Sequence, residues 1–142
     1  MSFLTSRNSG LRESGPIIQV IVVPPQPVAE QLQKEGKQIP TIKATALIDT
    51  GATATCINQD IVNALGLIAF DAQIVGTAGG DVLQSFYDVG IVLPINQPNI
   101  VSVQSPCADL KNQPYQVLIG RDVLTKCTLF YNGADNSFTI HM

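Results

Sequence analysis

Short runs of β-branched residues, each cut off by proline or glycine, constrain the fold of this chain more than any other feature. Ile17-Ile18-Gln19-Val20-Ile21-Val22-Val23 follows Pro16 and stops at Pro24-Pro25. Residues 41–48, 68–75, 82–93, 100–103, 117–119, 128–131 and 137–140 repeat the theme. Side chains branched at Cβ are stiff at χ1 and suit a pleated sheet better than a helix. With 11 glycines and 9 prolines supplying the breaks, many short strands joined by turns are expected. A chain of 142 residues is long enough for one domain with a substantial core.

Three stretches depart from that pattern. Asn58 is a good N-cap, Ile61, Val62 and Leu65 share one helical face, and Gly66 fits the position that ends a helix. One short helix is therefore expected over Gln59 to Leu65. A polar excursion from Pro24 to Pro40 reads as a surface insertion with one or two helical turns. Val123-Leu124-Thr125-Lys126 is also helix-like. Three hairpins are expected: one across Gly76 to Asp81, a second across Asn96-Gln97-Pro98-Asn99, and a third across residues 132–136.

Charge and cysteine content exclude several classes. Eight basic against 11 acidic residues give a net charge of -3, with no basic cluster, so no nucleic-acid partner is expected. Cys56, Cys107 and Cys127 are odd in number and widely spaced, which suits neither a disulfide framework nor a zinc site. Residues 1–15 are polar and lack the apolar core of a signal peptide, and no stretch approaches the roughly 20 apolar residues of a membrane span. The expectation is a cytoplasmic protein without membrane contact. Residues 1–15 read as a flexible arm and residues 16–142 as the folded domain.

One motif carries chemistry. The strand ending in Ala46-Leu47-Ile48 runs straight into Asp49-Thr50-Gly51-Ala52-Thr53. An apolar run placing one carboxylate at a turn suits an acid that is held and yet reachable. Alone, Asp49 reads as an ordinary Asx-turn after a strand rather than as a catalytic acid. Two further features follow in order: the glycine-rich tip Val75-Gly76-Thr77-Ala78-Gly79-Gly80, and Leu118-Ile119-Gly120-Arg121-Asp122-Val123-Leu124.

With these in place the chain resembles the retropepsins, the aspartic proteases of retroviruses and their cellular and bacterial relatives. The likeness spans most of residues 16–142. It implies an all-β closed barrel of about six strands with one or two short helices, working as a homodimer. It also implies an aspartic endopeptidase that needs no metal or cofactor and takes an extended peptide or protein substrate. Asp49 of each chain would form a catalytic dyad. Thr50, Gly51, Gly120, Arg121 and Asp122 would support the site. Gly51, Ala52 and Thr53 would line the cleft, and Val75, Gly76, Thr77, Ala78, Gly79 and Gly80 would form a flap over the substrate. Arg121 would brace the site through a carboxylate. Viral members often carry that acid at the position of Thr53, so Asp122 or an acid of the second subunit is the expected substitute.

Other readings stand beside this one. The same fold without turnover would be a dimerisation or peptide-binding module, and the chain could be a domain cut from a larger polyprotein. Pairing Cys107 with His141 as a cysteine-protease site would place the base near a chain end. Cys56 reads as a small buried hydrophobe. Asp60, Asp81 and Asp88 fit solvated or capping roles.

Overall fold

The β-branched runs do become strands. In a computed structural model that describes residues 2–95 and 100–142, the elements run β1 (Phe3–Arg7), α1 (Leu11–Ser14), β2 (Ile17–Val23), α2 (Gln26–Lys34), β3 (Ile42–Ile48), β4 (Cys56–Asn58) and α3 (Gln59–Leu65). They continue through β5 (Asp71–Thr77), β6 (Gly80–Val92), β7 (Ile100–Ala108), β8 (Val117–Ile119), α4 (Arg121–Leu124), β9 (Thr128–Asn132) and β10 (Ser137–His141). Residues 96–99, where a hairpin turn was expected, lie outside the described residues. The strands they would join, β6 and β7, pair antiparallel from Val92 opposite Ile100 onward.

Six of the strands close on themselves. Following the pairings gives β2-β3-β8-β4-β7-β6, and β6 returns to β2 through Val92 opposite Ile21 and Gly90 opposite Val23. The fold is thus an all-β closed barrel. Closure depends on Gly90, which lies between β2 and β7. A Cβ there would come within 2.6 Å of Val23 Cγ2 and 2.8 Å of Ile100 Cγ2. Only glycine lets both neighbours approach.

The alternation within each strand places the core inside the ring. Ile18, Val20 and Val22 of β2 are buried, as are Ala44, Ala46 and Ile48 of β3, while residues between them are more exposed. Removing this apolar surface from water is the main force holding the barrel. The helix α3 presses Ile61, Val62 and Leu65 onto that core and ends at Gly66, whose φ of 64° is left-handed. Asn58 does not cap it by side chain. Its Oδ1 instead accepts from Leu110 N at 3.1 Å, tying the 109–116 loop to the helix start.

Several expectations change. Residues 2–15 are not the loose arm expected of 1–15: β1 pairs with β10 along its whole length, and Leu11 of α1 is fully buried in the core. Leu11 supplies the anchor that the polar composition concealed. Among the described residues there are four short helices: α2 fills the insertion and α4 the helix-like stretch, and α1 is the one not expected. The α2 helix starts after Pro25 with Pro27 in its first turn, a position where proline costs no hydrogen bond, and none of its residues is buried. Residues 53 and 54 form a bend, and β4 begins at Cys56. The strand expected from Ile68 begins at Asp71, leaving Ile68 88% exposed.

Outside the barrel lie two additions. The β5–β6 hairpin projects from it, because β5 pairs with β6 alone. A separate three-stranded sheet has the order β1-β10-β9, with Phe138 and Ile140 of its central strand buried against the core.

Candidate active site

Two parallel strands deliver the site. β3 and β8 run side by side with Ile48 opposite Ile119, so the next residues, Asp49 and Gly120, leave the barrel at the same end. The Asp49 amide donates to Ile119 O at 2.9 Å and prolongs the ladder by one bond. The chain then turns through Thr50 and Gly51, where Ala52 N donates back to Asp49 O at 3.2 Å. Gly51 N donates to Asp49 Oδ1 at 2.9 Å, which fixes one oxygen of the carboxylate. The other oxygen has no hydrogen-bond partner among the described residues, and Asp49 is half-buried.

The 49–55 loop is pinned from behind by the Gly120-Arg121-Asp122 segment. Arg121 N donates to Ala52 O at 2.9 Å and Asp122 N to Thr53 O at 3.3 Å. Gly120 packs so closely under the loop that a Cβ would lie 2.5 Å from the Ala54 carbonyl carbon and 2.6 Å from its oxygen. Such contacts leave no side chain possible. Together they make the loop a second layer on the end of β8.

Within the chain Arg121 does not pair with Asp122, the carboxylate of its own subunit expected for it. Its Nη1 donates to Thr50 O at 2.8 Å and its Nη2 to Thr53 Oγ1 at 3.2 Å. No ion pair involves it among the described residues. The threonine that replaces the acid is therefore the partner, through its hydroxyl. The arginine still braces the loop from Thr50 to Thr53.

Asp122 serves the loop differently. Its Oδ1 accepts from Thr55 Oγ1 at 2.7 Å, from Thr55 N at 3.0 Å and from Val123 N at 2.8 Å, and its Oδ2 also accepts from Thr55 N at 3.0 Å. Thr55 is fully buried, and its hydroxyl also accepts from Gly120 N at 3.1 Å. Its carbonyl accepts from the buried Ser105 hydroxyl at 3.0 Å. Thr55 is the residue that sequence reasoning missed. The only signal for it was a hydroxyl inside an otherwise apolar stretch, and its partners lie 65 and 67 residues away.

The residues expected to line a cleft and to form a flap fall in two places. Gly51 and Thr53 are exposed and Ala52 half-buried on the Asp49 loop. Val75 and Gly76 end β5 opposite Val82 and Asp81, and backbone register places Thr77 opposite Gly80 across the Ala78-Gly79 turn. The hairpin exposes large apolar side chains on both strands: Ile74 is 74% and Leu83 68% exposed. Water-facing apolar groups on a projecting hairpin mark a surface that meets something.

The remaining candidates stand apart. Cys56, behind the loop, donates weakly to Ala54 O at 3.6 Å, and burial pushes its thiol up from its ordinary range, with Asp122, Cys107 and Asp49 adding to the effect. Cys107 donates to Gln59 Oε1 at 3.0 Å, while His141 lies in the other sheet opposite Phe3 and Thr128. Asp60 occupies the first turn of α3, and Asp81 and Asp88 are exposed on β6. Among the described residues no group of His, Cys, Asp and Glu is placed to hold a metal, and no helix is long and apolar enough to cross a membrane.

Comparison with known proteins adds the following. Residues 37–126 match the model of a protein family described as "gag-polyprotein putative aspartyl protease". Among solved structures, EIAV protease in complex with the inhibitor HBY-793 is similar at 20% identity and a TM-score of 0.48, covering 80% of this chain and 88% of that one. A retropepsin-like aspartic protease from Rickettsia conorii is similar at 11% identity and a TM-score of 0.48, covering 88% and 91%. A Legionella pneumophila protein of unknown function gives 16% identity and a TM-score of 0.38, covering 59% and 75%. No curated protein matches the chain. With all three TM-scores below 0.5, the family match alone carries the assignment.

Proposed function

Because this chain belongs to the gag-polyprotein aspartyl protease family, we propose that it is an aspartic endopeptidase whose active unit is a homodimer. The observation that carries this reading is the Asp49 carboxylate: one oxygen is fixed by Gly51 N, the other has no partner among the described residues, and both sit on a loop pinned by Gly120, Arg121 and Asp122. The chain carries the Asp-Thr-Gly sequence once. Acid-base hydrolysis of a peptide needs two such groups, so the second is Asp49 of another copy.

The chemistry follows from proximity. Two carboxylates facing each other cannot both ionise readily, so the pair holds one proton and titrates as a unit. The ionised member takes a proton from a bound water as the water oxygen attacks the scissile carbonyl carbon. The protonated member donates a hydrogen bond to the carbonyl oxygen and stabilises the tetrahedral intermediate. Proton transfer to the amide nitrogen then lets the C–N bond break, and the dyad is restored with one proton.

The remaining residues have positioning roles in this reading. Thr50 sits at the turn from which it reaches the second subunit. Gly51, Ala52 and Thr53 line the cleft floor, and the tip from Val75 to Gly80 covers an extended peptide.

Incubating the purified protein with a mixed peptide library, with and without an aspartyl-protease inhibitor, tests the proposal. Cleavage is expected, blocked by the inhibitor and favoured at mildly acidic pH. Asp49→Asn is expected to lower the rate by at least about a thousandfold while the protein stays folded. Cleavage by Asp49→Asn at the wild-type rate, or a rate flat from acid to alkaline pH, would contradict it. Peptide binding without turnover would point to a non-catalytic module on this fold.

A further inference from the structure

The β5–β6 hairpin leaves the ring partway along a single strand. β6 pairs with β7 from Val92 to Phe86 and with β5 from Phe86 to Gly80, so Phe86 is the last residue it shares with the barrel. Pro106 stands opposite Phe86 and has no N–H to carry the ladder on. Beyond it β7 turns to another neighbour, with Cys107 opposite Ile57 and Ala108 opposite Asn58 of β4. Main-chain pairing between hairpin and barrel therefore stops at one point. A two-stranded ribbon hung from such a point has little of its own to hold its angle.

One side chain crosses the gap. Gln84, two residues into the hairpin, is half-buried, and its Nε2 donates to Cys107 O at 2.6 Å and to Ser85 O at 3.3 Å. Both acceptors are carbonyls, so only the NH₂ end of the amide fits there. Gln73 lies opposite Gln84 in the hairpin but bonds to Asp71 Oδ2 at 2.9 Å, along its own strand. The same residue type thus stays within the ribbon on β5 and reaches out of it on β6. Cys107 is itself tied down: its Sγ donates to Gln59 Oε1 at 3.0 Å, and Gln59 Nε2 donates to Asn63 Oδ1 on α3 at 3.0 Å. Two residues earlier, the fully buried Ser105 donates to the carbonyl of Thr55, which anchors the Asp49 loop. Ser105 to Cys107 therefore hold the Asp49 loop at one end and the hairpin root at the other.

We infer that Gln84 is a positioning residue whose amide clamps the hairpin root to β7 and so sets the height of the tip over Asp49. This inference rests on the protease reading above and adds what holds the cover in place. Loop and root are both referenced to the same three residues of β7, so one short stretch of strand sets the spacing between them. Losing the clamp leaves the bonds of the Asp49 loop untouched. The loss therefore falls on the capture of substrate rather than on the chemical step.

Three substitutions separate the donor from the bulk of the side chain. Gln84→Leu removes both polar ends. Gln84→Glu keeps the shape and, ionised at about pH 6, offers no donor, whereas Gln84→Lys restores one at similar reach. A single net hydrogen bond corresponds to about a fivefold change in an equilibrium. Gln84→Leu and Gln84→Glu are expected to raise KM about fivefold with kcat within about twofold of wild type, and Gln84→Lys to keep KM within about twofold. Residue-resolved hydrogen exchange reads the clamp without any substrate. Amides of residues 86–88 are expected to exchange about fivefold faster in the Leu and Glu variants, while those of residues 89–92 hold. Unchanged exchange at residues 86–88 in Gln84→Leu overturns the clamp, and a Lys variant that matches the Leu variant overturns the hydrogen bond as its cause. Faster exchange with KM unchanged, or with kcat falling as far as kcat/KM, overturns the positioning role. A wild-type chain that cleaves no peptide, while exchange responds as expected, overturns the protease reading and supports the clamp.

Discussion

The Asp49 loop and the β5–β6 tip are both exposed turns, yet they are held in opposite ways. The loop is bound from underneath by main-chain bonds from Arg121 and Asp122, by the Arg121 side chain, and by the Thr55–Asp122–Gly120 network. In the hairpin β5 pairs with β6 alone, and Ile74 and Leu83 are exposed. A carboxylate that must meet a carbonyl at a set distance gains from a pinned loop, since misplacement costs rate steeply. A cover that must admit an extended chain gains from having few ties to the barrel. The loop commits its polar groups to rigidity, whereas the hairpin leaves apolar surface exposed.

Substitutions that spare one region and damage the other test this contrast. The largest effect on folding is expected for Gly120→Ala, whose Cβ would collide with the Ala54 backbone at 2.5 Å. The loop or β8 must shift, at a cost of about 3 kcal/mol, read as a lower denaturation midpoint together with lost activity. Unchanged stability would mean that the loop is not packed on Gly120. Thr55→Val keeps the shape but leaves Gly120 N without its acceptor and Asp122 without its shortest bond. About 2 kcal/mol of stability is expected to go, with kcat falling more than KM rises. The β5–β6 hairpin, the proposed flap, should respond the other way. Leu83→Ser, at a 68% exposed position, is expected to change stability by less than about 0.5 kcal/mol and to raise KM instead. A large loss of stability there would show the hairpin packed against its own barrel.

How far the sequence reveals this arrangement depends on the range of the contacts involved. The ring strands are legible from β-branched runs, and α3 from its cap residues and apolar face, because these signals lie within a few neighbouring residues. Asp49 and Gly120 are legible as motifs, and the parallel register of Ile48 with Ile119 explains why the two motifs meet. Thr55 is not legible, since its value comes from Asp122, far along the chain. The partner of Arg121 is misread for a related reason. A guanidinium suggests a carboxylate, whereas the loop offers a carbonyl and the Thr53 hydroxyl at the right distances. Residues 2–15 mislead by composition: their order comes from Leu11 in the core and from pairing with β10 at the opposite chain end.

The central claim is that one chain holds half of a catalytic site. Mixing wild-type chains with Asp49→Asn chains at equal amounts and fixed total concentration, then allowing subunits to exchange, tests it directly. If both aspartates of a two-fold pair are needed, hydrolysis falls to about a quarter of the all-wild-type rate, because only that share of dimers carries two intact copies. A fall to about a half, the result for chains that each act alone, would contradict the account.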